Sequence, residues 1–214
     1  MLSSTALPLL SNSVNADSVK TSKSYSDQVD VNQQTSSNLS QSDIELADKY
    51  VEVKNNQFYI TQQGQNLLPN NVFNSVKKQI EKTNQAIIKD RLIVDPQTKE
   101  IAHQSPYVMF ASGFRGATRI HRGCYVHGFW WGVRVYFTSN AAVNWFRSKL
   151  STASGIATIV SMVAQVTGHE IASTLSDALG AYTDSTSNRL ANFNRRHRHS
   201  KIYMDAPNIS FHTF

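Results

Sequence analysis

The chain has 214 residues, 40% hydrophobic and 17% charged, with a formal net charge of +6. That length suits one domain of usual size plus a tail, and the apolar share suffices for a core. A single cysteine, Cys124, excludes an internal disulfide and leaves a thiol that is either buried or paired with another chain.

The charge is unevenly placed. Residues 1–100 carry 10 Lys/Arg and 11 Asp/Glu, whereas residues 101–214 carry 11 and 4. A basic second half suggests an anionic partner such as a membrane surface, a wall polymer or a nucleic acid; the plainer alternative is a basic surface that keeps the chain soluble.

In chain order, Ala6–Leu10 form a short apolar run and Val14-Asn15-Ala16 fits small-residue cleavage. Residues 1–16 therefore read as the remnant of a secretory leader, and a secreted, extracellular protein is expected. Residues 17–42 are dominated by Ser, Gln, Asn, Thr, Asp and Lys, with one aromatic, Tyr25, which predicts a disordered polar segment. A single domain is expected over 43–214, in two parts, 43–100 and 101–214.

Ile44, Leu46, Ala47 and Tyr50 predict a short helix capped by Ser42 or Asp43. Val51 and Val53, then Phe58 and Ile60, flank Asn55-Asn56 and predict a small hairpin. Val72, Phe73, Val76, Ile80, Ile87 and Ile88 mark a helix capped by Asn71 and running to about Lys89, followed by a turn at Pro96.

From Tyr107 to Thr138 the chain is rich in aromatic, β-branched and Gly residues. Strands are expected near 119–127 and 129–138, the second with Val133, Val135 and Phe137 on one face and Arg134 and Tyr136 on the other. A helix capped at Ser139 or Asn140 follows, then two apolar helices within 153–181 broken at Gly168. The first is too short for a membrane span of about 20 residues; a buried hairpin and a pair that opens onto a bilayer both remain open. A polar, basic link through Lys201 precedes two closing strands. The fold class is thus α+β: a disordered tail, then one domain with a small antiparallel sheet and four or five helices, including a C-terminal apolar helical hairpin.

Phe129-Trp130-Trp131 is the most unusual local feature. On a strand, Trp130 points opposite to its neighbours, so one side meets solvent, a partner or a lipid interface unless both faces are covered. With Trp145, and with Arg115, Arg119, Arg122 and Arg134, these are candidates for membrane or surface binding. Arg195, Arg196 and Arg198 are further candidates for an anionic surface.

His121, Cys124 and His127 have metal-like spacing, yet alternation sends Cys124 to the face opposite both histidines, so no metal is expected. His169-Glu170 opens like a zinc-protease helix, but position 173 is Ser. A phosphate loop, a GxSxG elbow and paired carboxylates are all lacking. The expectation is a non-enzyme with no cofactor and no nucleic-acid partner.

The segments DIELADKYVEVKNNQFYI, KTNQAIIKD and HGFWWGVRVYFTS, the last leading into small-residue-rich helices, resemble uncharacterised secreted bacteriocin-like proteins of Gram-positive bacteria. Few cysteines suit such an exporter. The resemblance implies a basic antimicrobial protein acting non-catalytically at a bacterial membrane or cell surface, with an immunity or partner protein in attendance. A non-lytic envelope-binding module is the alternative. A secreted hydrolase or metal-dependent enzyme using Cys124 and histidines is the third.

Overall fold

The computed structural model describes residues 39–103 and 118–214. The leader, most of the polar segment, and Arg115 lie outside the described residues. Order begins earlier than expected at 43. Leu39 is already buried, and Ser40 caps the first helix, α1 (Gln41–Asp48), in a reciprocal box with Asp43: the Asp43 N–H donates to Ser40 Oγ at 3.2 Å and the Ser40 N–H to Asp43 Oδ2 at 3.0 Å.

A two-stranded antiparallel sheet follows, β1 (Val51–Lys54) and β2 (Gln57–Ile60). Its turn is Asn55-Asn56, both with positive φ, 52° and 61°, as a tight hairpin requires. Short α2 (Gln62–Leu67), unforeseen because its sequence QQGQNL has a single apolar side chain and no helical stripe, leads to α3 (Asn70–Lys89). Pro69, not Asn71, precedes the first turn of α3, and no side chain caps it.

The large antiparallel sheet contains β3 (Leu92–Val94), β4 (Ile101–His103), β5 (Thr118–His121), β6 (Cys124–Phe129), β7 (Gly132–Phe137), β8 (Ile202–Ala206) and β9 (Ser210–Thr213). Strand order is β3-β4-β6-β7-β8-β9, and β5 shares the β4 side of β6. The expected strand 119–127 is thus two strands folded at Arg122-Gly123, where Gly123 has φ 76°.

Three helices lie between β7 and β8: α4 (Asn140–Leu150), α5 (Ala153–Thr167) and α6 (His169–Arg196). Ser139 and Thr152 cap α4 and α5, and Gly168 alone separates α5 from α6. Asp90 caps α6 from a distance, its Oδ2 accepting from the His169 N–H at 3.2 Å. The fold is α+β, with six helices among the described residues and not four or five. The predicted basic link is mostly helix, since α6 runs on to Arg196.

Period-2 burial divides the large sheet. Cys124, Val126, Val133, Val135, Phe137, Ile202 and Met204 face a core completed by Phe146, Leu150, Ile159, Val163, Leu175, Leu179 and Leu190. Tyr125, His127, Phe129, Arg134, Tyr136, Tyr203 and Asp205 occupy the other face. Among the described residues no helix is long and apolar enough to cross a membrane.

Candidate functional site

The capped start of α4 fixes its phase. Ala142, Val143, Phe146 and Leu150 turn inward, leaving Asn140 and Asn144 outside and Arg147 at the boundary. On α6, Leu190 is buried and Phe193 half-buried, so Asn192 and Arg195 point outward. Between the two helices lies a groove of about 440 Å³. Asn140, Asn144 and Arg147 line one wall; Asn192, Asn194, Arg195 and Arg198 line the other, with Val143 and Ala191 between.

The charged side chains among its lining residues are all arginines. Arg147 Nε donates to the Ser187 carbonyl at 3.1 Å, and Arg195 Nη2 donates to Asn192 Oδ1 at 3.3 Å. Among the described residues no carboxylate pairs with Arg147, Arg195 or Arg198, and none lines the groove. The N-terminus of α4 adds partial positive charge, while the C-terminus of α6 favours the cations beside it. Such a groove can grip an anion. It offers no nucleophile or general base.

A second assembly sits on the face of the large sheet opposite the helical core. Arg134 donates from Nε and Nη2 to the two carboxylate oxygens of Asp205, at 2.6 and 2.8 Å, and Asp205 is 1% exposed. The guanidinium carbon also lies 4.2 Å from the ring centre of Tyr203, 5.3 Å from Phe129 and 5.6 Å from Trp131. Phe129 and Trp131 stack at 5.0 Å, and Tyr203 stacks on His212 at 4.9 Å. Burial lowers the Arg134 pKa, but the bonds and charge of Asp205 outweigh it and hold it above the ordinary value. A groove of about 280 Å³ separates this assembly from α1, where Glu45 and Asp48 face it. Its cation is already paired with Asp205, which leaves little charge for a ligand.

The expected tryptophan surface is corrected. Trp130 is 0% exposed and Trp131 6%. They form the turn between β6 and β7 instead of a strand, which buries both. Trp130 Nε1 donates to Asp48 Oδ1 at 2.8 Å, and its carbonyl accepts from Thr83 Oγ1 at 2.8 Å and Gln79 Nε2 at 3.2 Å. Trp145 is half-buried and stacks on His121 at 4.1 Å. Arg119 and Arg122 are exposed on β5 and its turn, away from the α4–α6 groove lining. Arg196 is exposed in the last turn of α6, beside that groove.

His121, Cys124 and His127 do not converge. The turn at Arg122-Gly123 and the bulge between Arg119 and His121 put His121 against Trp145 of α4, while His127 lies on the opposite face. The expectation that the two histidines share a face therefore fails. Cys124 is fully buried, and burial pushes its thiol pKa up. His127 is 3% exposed, with Glu100 Oε1 2.7 Å from its Nδ1. Neither ring nitrogen has a directional hydrogen bond, so the pair is a close contact and not an aligned bond. Among the described residues no group of three His, Cys, Asp or Glu is placed to hold a metal.

Sequence reasoning singled out Arg195 and Arg198 but missed Arg147 and the asparagines opposite. The spacing of Asn140, Asn144 and Arg147 was a usable signal, since i, i+4 and i+7 share a helix face. Their juxtaposition with the end of α6 is tertiary. No protein-family model, curated protein or solved structure matches this chain.

Proposed function

We propose that this is a secreted, non-catalytic protein that binds an anionic polymer at a bacterial cell surface through the groove between α4 and α6. One observation carries the reading: three guanidiniums without carboxylate partners among the described residues line one groove. Like charges held together cost free energy unless an anion offsets them. The resemblance to secreted bacteriocin-like proteins supplies the location and the class of target.

Action on the bilayer itself is the second reading. It draws on α5, fifteen residues without a charge, ASGIATIVSMVAQVT. It requires α5 and α6 to part, because Ile159, Val163, Leu175 and Leu179 are buried in the closed form.

Titrating the full chain with isolated cell walls, and separately with dye-loaded anionic and neutral vesicles, tests both. The expected outcome is saturable wall binding without dye release. Three engaged phosphates predict a slope of about −2 for log affinity against log salt. Arg147→Gln, Arg195→Gln and Arg198→Gln together should abolish that slope. Dye release from anionic vesicles would favour the bilayer reading, and absence of wall binding would overturn the groove.

A further inference from the structure

Resting on the groove reading, we infer that its ligand is a phosphodiester-linked polyol or sugar-phosphate chain, distinguished from other polyanions by hydroxyl groups that the groove asparagines recognise. The guanidiniums account for charge alone. They do not account for Asn140, Asn144, Asn192 and Asn194, which stand among them on both walls.

A carboxamide carries two N–H donors and an acceptor oxygen. A bare polyanion offers only acceptors, so every Asn Oδ1 facing it would meet lone pairs. A hydroxyl both donates and accepts, and satisfies both ends of the amide. Among the described residues one of the four has a side-chain partner, Asn192 Oδ1 with Arg195. Asn140, Asn144 and Asn194 have none there, so their amide donors and acceptors are available to a ligand.

The lining also argues against a nucleic acid. Single-stranded binders stack bases on aromatic rings, and among the described residues no Phe, Tyr, Trp or His lines this groove. A volume of about 440 Å³ is enough for a short stretch of polymer, with the rest running out over the open ends. Arg147 lines the α4 wall and Arg195 the α6 wall, so a chain with repeated phosphates can meet a guanidinium on each wall while its intervening carbons present hydroxyls to the asparagines.

The test is a competition at fixed salt on the full chain, with three probes of matched charge: oligo(glycerol phosphate), inorganic polyphosphate and oligo(dT). Oligo(glycerol phosphate) should bind about tenfold tighter than polyphosphate, the amount two neutral hydrogen bonds supply. Asn144→Ala with Asn194→Ala should erase that preference, lowering oligo(glycerol phosphate) affinity more than polyphosphate affinity. Asn144→Ser with Asn194→Ser, which restores a donor and acceptor, should recover part of it. Neither side chain is in the core, and matched melting temperatures would show that the variants fold. Equal binding of the first two probes would overturn the hydroxyl inference and leave the anion groove standing. Tightest binding by oligo(dT) would overturn it in favour of a nucleic acid. Binding of no probe would overturn both the inference and the proposed function.

Discussion

Asn84 of α3 holds both backbone groups of Phe58: its Oδ1 accepts from the Phe58 N–H at 2.9 Å, and its Nδ2 donates to the Phe58 carbonyl at 2.9 Å. Among the described residues β2 has only β1 beside it, so one carboxamide stands in for a second neighbouring strand. Asn84→Ala should cost about 1–3 kcal/mol, since two half-buried backbone groups lose their partners. Urea denaturation reads this directly. A loss below about 0.5 kcal/mol would mean that water replaces the amide without cost.

The buried tryptophans give a prediction that separates the two functional readings. In the closed form, quenchers in water should reach Trp145 and spare Trp130 and Trp131. Adding anionic vesicles should leave the emission maximum unchanged. Quenching of Trp130 or Trp131 by brominated lipid would mean that the β6–β7 turn enters the bilayer.

Gly132 follows these tryptophans because nothing larger fits. Its φ is 151°, and a Cβ there would collide with the Ala206 carbonyl oxygen of the neighbouring strand. Gly132→Ala should destabilise the protein by about 1–3 kcal/mol, seen as a lower melting temperature. An unchanged melting temperature would show that β8 can move aside.

Stability should fall at alkaline pH through the Arg134 face of the sheet. Burial raises the pKa of Tyr136 and of Tyr203, with the positive charge of Arg134 opposing it in both. A phenol with a higher pKa folded than unfolded keeps its proton longer in the folded state. Its contribution is complete below the unfolded value of about 10 and is lost as pH rises through the folded one. The Cys124 thiol, raised by burial, acts in the same direction from a lower pH. Melting temperatures from pH 8 to 11 in a Cys124→Ala background should therefore drop above about pH 10. Tyr136→Phe with Tyr203→Phe should flatten the drop; an equally steep fall would place its origin elsewhere.

Local signals carried much of the fold. Asn55-Asn56 between alternating apolar pairs marked the β1–β2 hairpin, and Gly168 marked the break between α5 and α6. Alternation placed Arg134 and Tyr136 opposite Val133 and Val135. What failed depended on contacts distant in sequence. Trp130 looks like a surface aromatic until Asp48 is seen to satisfy its indole N–H. The stretch RLANFNRR looks like a polar link because its apolar positions, Leu190 and Phe193, are few. They suffice because β9, through Phe211, supplies the surface they cover. The α4–α6 groove was half legible for the same reason: each helix face follows from spacing, but their meeting does not.

Asn56 has a role beyond the turn it shapes. Its Nδ2 donates to the Leu92 carbonyl at 2.8 Å, and its Oδ1 accepts from the Val94 N–H at 2.7 Å, so the turn of the small sheet is stitched to the edge of the large one. The hairpin therefore cannot fray alone. In hydrogen exchange, the Val94 amide should open together with those of β1 and β2, as one cooperative unit rather than two.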